Sequence, residues 1–382
     1  MVASRCVTAW RTNRLARRCL LVGACAGGLA LIASPRLETL GWICGGLLLI
    51  SAVLLLPGCA GNTRWLSFRL RPQFVLLGIS TVLSLLLAEA VLRVCFSPYF
   101  VDLSMIWGRG LGYRPDPLLG WFAVPNSRTN FVAQRAFSIA HNSYGFRDPE
   151  PKPDQRPRIA FLGDSFVWGY NAEASERFTE RLRTLHADWQ VLNLGVCGYS
   201  TDQEYLLLQK YFDVFHPRVV FLVFCTENDD AGNQWNLCGD WYYKPYYLAG
   251  TNGLHLAGVP VPISENVFCV QHSLLSRVYL LRFGLRAWNR LWHPPRKTDP
   301  SPTTAILSAI QQFVTRHGAK LGVGLTAPDP ALATFLDAAN IPWVDLSTNL
   351  RVPKDIHWSP EGHAFVAGKI DDWLRKNLDH EN

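Results

Sequence analysis

Two kinds of apolar pattern divide the chain. The first quarter contains three long apolar stretches, 19–34, 40–57 and 74–96, whereas later apolar runs are short. About 20 apolar residues are needed to cross roughly 30 Å of hydrocarbon, so these stretches are predicted to be transmembrane helices. The third is the longest, and its charges, Glu89 and Arg93, lie at one end, spaced to pair on one helix face.

From residue 158 onward, short apolar runs of strand length alternate with segments of helical periodicity. The predicted strands are 158–163, 190–196, 218–225, 320–327 and 342–347. The predicted helices are 176–187, 201–215, 302–317, 329–339 and 359–377. This alternation predicts an α/β fold, with a parallel sheet covered by helices on both faces. Such sheets bind their ligands beyond the carboxyl ends of the strands.

The same patterns predict the domain organisation. Residues 1–97 form a membrane anchor, 98–157 a lead-in segment and 158–378 the α/β domain. An aromatic-rich insertion, 231–300, interrupts this domain. Within it, 272–292 has helical spacing with three arginines on one face. That helix is either solvated or rests on anionic lipid.

The distribution of charge along the chain indicates how the predicted spans are oriented in a membrane. The net charge is +7, but residues 1–96 hold ten arginines and only two acidic residues, so the remainder is nearly neutral. A nucleic-acid surface would place the excess positive charge on the folded domain, so nucleic-acid binding is not indicated.

Eight of the arginines precede the first apolar stretch or separate the second from the third. Lys and Arg stay cytoplasmic, which predicts a cytoplasmic N-terminus, three spans and an exported C-terminal domain. Alternatively, residues 1–33 are a cleaved signal peptide, and the two later spans still export the domain.

Cysteine spacing indicates no metal or redox site. The chain has ten cysteines and no C-x-x-C pair. Cys238 and Cys269 bracket much of the insertion, and an oxidising compartment would permit a disulfide between them. No metal and no organic cofactor is predicted.

Polar or small residues follow four of the predicted strands. Ser165 follows the first and Asn228 the third, and Asp355 and His357 follow the last. The second strand leads into Asn193, Gly195 and Gly198. Parallel strands bring these residues to one crevice. A serine, an imidazole, a carboxylate and hydrogen-bond donors are what serine-based acyl transfer requires. The sequence therefore predicts a catalytic site there.

The blocks GDSF, NLGVCGYST, TENDD and DIHWSPEGH, in this order, resemble those of the SGNH (GDSL) hydrolases. The resemblance implies a flavodoxin-like three-layer α/β/α domain with Ser165 as nucleophile, His357 as base and Asp355 as its partner. It also implies an oxyanion hole formed by Ser165 N–H, Gly198 N–H and the Asn228 side chain. The lead-in stretches DPLLGWFAVPN and NSYGFRD resemble a membrane-anchored bacterial branch, whose members carry such a lead-in. Together with the arginine distribution, this gives an expected location at the bacterial cytoplasmic membrane, with the domain outside it.

Two details of the blocks refine this assignment. The family block has an asparagine, then four residues, then the donor glycine. Counted from Asn193, this spacing leads to Gly198 and not to Gly195. The commoner family spacing is D-x-x-H, whereas Asp355 lies two residues before His357. The D-x-H-W form is similar to relatives that O-acetylate exopolysaccharides such as alginate.

Structural roles compete with functional ones at several positions. Ser165 and Asn228 are also suitable helix caps, and Asp164 is expected to stabilise the turn and the helix start. His363 is expected to pack within its turn. The insertion's aromatic residues either form an exposed sugar platform or pack the insertion against the domain; they are Trp235, Trp241, Tyr242, Tyr243, Tyr246 and Tyr247.

The sequence thus predicts a membrane-anchored, extracytoplasmic serine esterase. Its expected substrates are acyl esters, with acetyl as the expected acyl group, on cell-envelope or exported polysaccharide. The expected partners are that substrate and the lipid bilayer. One alternative is an O-acyltransferase that uses the same triad, and a second is a non-catalytic binding or assembly module.

Overall fold

The computed structural model describes residues 72–96, 110–239, 242–250, 253–272 and 277–378. The predicted spans 19–34 and 40–57 lie outside the described residues. The chain divides into two compact units, Met1–Phe100 with Leu274–Gly284, and Val101–Ser273 with Leu285–Asn382.

In the first unit, helix α1 covers Pro72–Cys95. Its segment Val75–Cys95 is long and apolar enough to cross a membrane. Arg93 donates to Glu89 at 2.8 Å, which confirms the predicted pair. The exposed side chains of this helix include Leu85, Leu87 and Val94.

The second unit opens with two antiparallel hairpins. Strands β1 (Tyr113–Asp116) and β2 (Gly120–Ala123) form the first, and β3 (Arg128–Val132) and β4 (Ala136–Ala140) form the second. In the first turn, Asp116 Oδ1 accepts hydrogen bonds from the backbone N–H groups at 118 and 119. This side-chain acceptor favours the turn that reverses the chain.

A five-stranded parallel sheet forms the centre of this unit. Its strands are β5 (Arg158–Gly163), β6 (Gln190–Asn193), β7 (Val219–Phe224), β12 (Lys320–Leu325) and β13 (Trp343–Asp345). They lie in the order β13-β12-β7-β5-β6 across the sheet. Gly163 pairs with Val223, which pairs with Gly324, so the carboxyl ends of the three central strands are aligned.

Helices cover both faces of this sheet, which confirms the predicted α/β/α fold class. The helices of this unit include α2 (Ser165–Trp168), α3 (Phe178–Leu185), α4 (Thr201–Phe215), α5 (Asp229–Gln234), α8 (Thr303–Arg316), α9 (Pro330–Ala338) and α10 (Pro360–Leu378). Because successive strand residues alternate between faces, Phe161 packs with Leu182 of α3 and Trp373 of α10. Leu162 joins the opposite core with residues of α4, α8 and α9.

Within its described residues, the insertion contains small antiparallel strand pairs and helices. These are β8 (Leu237–Cys238), β9 (Tyr242–Tyr243), β10 (Tyr246–Gly250), β11 (Gly253–Ala257), α6 (Glu265–Gln271) and α7 (Tyr279–Trp292). Its tyrosines 242, 243, 246 and 247 are no more than 7% exposed, so an exposed tyrosine platform is wrong. They pack inward because they bury apolar ring area. Trp235 is 39% exposed, and Trp241 lies outside the described residues. Cys238 and Cys269 are not bonded to each other, so the disulfide that the sequence permitted does not form.

Candidate active site

Ser165 lies at the junction between the central strand β5 and the short helix α2. Asp164 caps this helix, since its Oδ1 accepts the Phe166 N–H at 2.9 Å, as expected for a turn-stabilising residue. A Cβ on Gly163 would lie 2.3 Å from Val167 Cγ2, so only glycine fits directly before the turn. The tight turn therefore places Ser165 at the carboxyl end of the sheet.

The structure brings Ser165, His357 and Asp355 together. Ser165 Oγ lies 2.7 Å from His357 Nε2, and His357 Nδ1 is hydrogen-bonded to Asp355 Oδ1. With its Nδ1 proton directed at the carboxylate, the imidazole presents an Nε2 lone pair to the serine hydroxyl. This arrangement is the one in which a histidine acts as general base toward a serine.

The short spacing between Asp355 and His357 is accommodated by a compact loop. Asp355 Oδ1 accepts the His357 backbone N–H at 2.9 Å, in addition to the ring N–H. Lys354 adopts a left-handed conformation with φ of 63°, and Val352 N–H donates to the His357 carbonyl. Buried Trp358, whose ring centroid lies 4.8 Å from that of Phe166, anchors the loop. One intervening residue is thus enough to bring the carboxylate to Nδ1.

Asn171 is a site residue that the sequence reasoning missed. It is fully buried, and its Nδ2 donates to Asp355 Oδ2 at 2.9 Å and to Gln134 Oε1 at 2.7 Å. Its φ of 61° is a left-handed conformation that asparagine tolerates better than most residues. The only signal in the sequence was an asparagine soon after a glycine, which is too common to indicate a role.

Hydrogen bonding determines the charge state of Asp355. Burial raises the pKa of its carboxyl, but the hydrogen bonds from the His357 ring and backbone outweigh burial and lower this pKa below its usual value. The carboxylate is therefore ionised at neutral pH, where it favours the imidazole tautomer with a proton on Nδ1.

Asn228 lies beside the serine turn, at the end of β7. It occupies the position before α5, but it makes no side-chain cap bond to that helix. Instead, its Nδ2 donates to Asp164 Oδ2 at 3.1 Å. Since an amide nitrogen has two hydrogens, one remains for a second acceptor. Burial raises the pKa of Asp164, and the hydrogen bonds from Phe166 and Asn228 oppose that rise.

Gly198 lies in the loop after β6, the strand beside β5. Its N–H makes no hydrogen bond within the described part of the chain, and the same holds for the Ser165 N–H. By contrast, Gly195 N–H donates to Asn193 Oδ1 at 3.1 Å. The choice of Gly198 over Gly195 as a donor is consistent with this difference. Gly198 forms no hydrogen bond to Ser165, Asn228 or His357 among the described contacts.

The lead-in segment holds the Gly198 loop. Trp121 Nε1 donates to the Cys197 carbonyl at 3.0 Å, and Cys197 N–H donates to Tyr113 Oη at 3.1 Å. Tyr199 Oη donates to the Trp121 carbonyl at 2.6 Å. The residues on both sides of Gly198 are thus bound to the first hairpin, a positioning role that the apolar sequence of the lead-in did not indicate.

His363, which was expected to be structural, is buried. His363 is 1% exposed, with its ring centroid 6.1 Å from that of Phe178. Burial first, and nearby Arg177 second, lower the pKa of His363 to about 3. It packs in its turn, as expected. Among the described residues, no three His, Cys, Asp or Glu side chains are grouped as a metal site requires.

The sequence matches no protein-family profile and no curated protein. Among solved structures, the chain is similar to the psychrotrophic esterase EstA from Pseudoalteromonas sp., with 11% identity, TM-score 0.34 and coverage of 59% of this chain and 100% of that one. It is also similar to a lipolytic G-D-S-L family protein from Veillonella parvula, with 13% identity, TM-score 0.33 and coverage of 59% and 99%. An acetyl xylan esterase, AlAXEase, shows 13% identity, TM-score 0.33 and coverage of 57% and 99%.

Proposed function

We propose that this protein is a membrane-anchored, extracytoplasmic serine esterase with Ser165 as nucleophile, His357 as general base and Asp355 as its partner. The single observation that carries the proposal is the contact series from Ser165 Oγ through His357 to Asp355, at the carboxyl end of a parallel sheet. The substrate class is an acyl ester, with acetyl as the expected group, on envelope or exported polysaccharide.

The proposed reaction uses side-chain and backbone groups of the chain together with a water molecule. Ser165 Oγ attacks the acyl carbonyl while His357 Nε2 takes the hydroxyl proton. The N–H groups of Ser165 and Gly198 and the Asn228 amide stabilise the oxyanion. When the intermediate collapses, the alcohol leaves with the proton from His357. Water then attacks the acyl-enzyme in the same way, which releases the carboxylic acid and restores Ser165.

The location is proposed from helix α1 and the arginine distribution. Helix α1 is long and apolar enough to span a bilayer, and the arginines that flank the apolar stretches favour a cytoplasmic N-terminus. The polysaccharide substrate is proposed from the D-x-H-W block, which resembles that of exopolysaccharide O-acetylating relatives.

An O-acyltransferase is the second candidate, because it shares the acyl-enzyme step. The purified full chain should be incubated with p-nitrophenyl acetate, with and without acceptor oligosaccharides. Release of acetate as the main product supports hydrolysis. Acetylated sugar as the main product would overturn the hydrolase assignment and support the transferase.

A fluorophosphonate probe tests the proposed chemistry against a non-catalytic module. We expect covalent labelling at Ser165, abolished in Ser165→Ala and in His357→Ala. Ser175→Ala, which changes an exposed serine of the same domain, is the matched control and should label normally. Absence of labelling in a wild-type chain that melts cooperatively would overturn the enzyme assignment.

A further inference from the structure

Helix α7 exposes its apolar face. The outward positions are 283, 284, 287, 288, 291 and 292, which recur with helical periodicity on one side. Phe283 is 51% exposed, Trp288 61%, Leu291 73% and Trp292 60%. No charged residue lies on this face. A surface helix of a soluble domain normally shows the opposite arrangement.

Two of the arginines of α7, Arg282 and Arg286, point inward. Arg282 is 5% exposed, and Arg286 Nε lies 4.0 Å from Glu265 Oε1. Asn289 Nδ2, on the same face, donates to Glu265 Oε2 at 3.2 Å. The predicted contact of an arginine face with anionic lipid is therefore not supported at Arg282 and Arg286, because both side chains lie on the protein side.

The beginning of α7 is attached to the end of α1. Glu89 of α1, 4% exposed, accepts the N–H of Tyr279 at 2.9 Å and that of Leu280 at 2.7 Å. Arg93 pairs with Glu89, donates to the Arg277 carbonyl and lies over the Tyr279 ring. A carboxylate on the first N–H groups of a helix satisfies unpaired donors and complements the helix dipole.

The attachment of α7 to the end of α1 indicates what covers the exposed apolar face of α7. Charged residues in the last turns of a spanning helix lie near the membrane interface. Since Glu89 and Arg93 occupy that position in α1, α7 begins at the same depth. Tryptophan is enriched at the interface, and the rings of Trp288 and Trp292 lie 5.5 Å apart on the outward face.

We propose that α7 lies in the interface of the bilayer spanned by α1, with its apolar face inserted among the lipid headgroups and upper acyl chains. This inference depends on the proposed membrane span and is independent of the ester chemistry. Because Arg282 and Arg286 face the protein and the outward face is apolar, the contact requires apolar insertion and does not require anionic lipid.

The test uses the full chain in phosphatidylcholine nanodiscs that contain a lipid with a diazirine on its acyl chain. After irradiation, we expect lipid adducts on α1 and on the outward residues of α7, with and without added phosphatidylglycerol. Phe365 of α10 and Trp235, each 39% exposed, are internal controls and should carry few adducts. A triple variant, Trp288→Gln with Leu291→Gln and Trp292→Gln, should reduce α7 labelling to the level of these controls.

The labelling pattern distinguishes the α7 inference from the membrane span on which it depends. Adducts on α1 with none on α7 above control would overturn the α7 inference and leave the membrane span standing. Absence of adducts on both helices would overturn both. Adducts on α7 only when phosphatidylglycerol is present would overturn the apolar-insertion mechanism. Fluorophosphonate labelling of Ser165 in the same samples reports on the esterase proposal separately.

Discussion

Asn171 Nδ2 donates a hydrogen bond to Asp355 Oδ2 at 2.9 Å, on the side of the carboxylate opposite to His357. Oδ1 already accepts both the backbone N–H and the ring N–H of His357. The Asn171 amide therefore fixes the carboxylate plane, and through it the imidazole. We therefore expect Asn171 to act as a positioning residue.

Replacing Asn171 with glycine tests this role. Glycine tolerates the left-handed backbone, so the variant removes the amide without adding strain. A hydrogen bond to a charged group contributes about 1.5–3 kcal/mol, so kcat should fall roughly tenfold to hundredfold. We expect KM to change little. Steady-state kinetics with p-nitrophenyl acetate measure both constants.

Asn340→Gly is the matched control, because Asn340 also has a left-handed backbone, with φ of 53°. It should leave kcat unchanged. If Asn171→Gly lowered only the melting temperature, or changed kcat no more than this control did, Asn171 would be a structural residue only.

Asn228→Ala should reduce turnover without unfolding the chain. The side chain makes no helix-cap bond, and its Nδ2 contacts Asp164 at 3.1 Å. Loss of one oxyanion donor typically lowers kcat about 10²–10³-fold. Asn130→Ala, on an exposed strand position, is the control for kinetics and melting. A kcat close to that of the wild type would remove Asn228 from the proposed oxyanion hole.

Trp121→Phe tests the link between the lead-in hairpin and the Gly198 loop. The variant keeps an aromatic ring but leaves the Cys197 carbonyl without its 3.0 Å donor. An unmade buried hydrogen bond costs about 1–3 kcal/mol in unfolding free energy. We expect lower stability together with a lower kcat, since the loop holds a proposed oxyanion donor. The control Trp235→Phe, in the insertion, should change neither stability nor kcat. If Trp121→Phe lowered stability but left kcat normal, the hairpin would have no role in catalysis.

The fold was largely predictable because its signals are local. The run 158–163 is apolar at every position that the sheet buries, and helix 201–215 has the observed boundaries. The polar residues at the strand ends were predictable because parallel strands place their carboxyl ends at one edge. The contact of Ser165 with His357 followed from that topology.

Other features depended on tertiary contacts that no local pattern reports. Asn171 reaches Asp355 across 184 positions of the chain, and Trp121 reaches the Cys197 carbonyl across 76. The periodicity of α7 correctly showed an amphipathic helix, but it did not show which face points outward. That orientation depends on Glu265 and Glu89, which lie outside the helix.

The pH dependence of stability tests the burial of His363. Its pKa falls from the ordinary value of 6.5 to about 3 in the folded chain, chiefly because of burial. The unfolded chain therefore binds a proton that the folded chain does not, and stability is lost as the pH falls from about 6.5 toward 3. One proton corresponds to about 1.4 kcal/mol per pH unit.

His363→Gln should reduce this loss, because glutamine does not titrate and its amide oxygen can accept the Phe178 N–H that contacts His363 Nδ1. Melting of the detergent-solubilised full chain at several values between pH 4 and 6.5 measures the effect as a difference between variant and wild type. Other groups, such as buried His141, with a pKa lowered to about 4, contribute equally to both chains and cancel in the difference. His255→Gln, at an exposed position, should keep the wild-type slope. Equal slopes for His363→Gln and wild type would mean that His363 takes up its proton in the folded state.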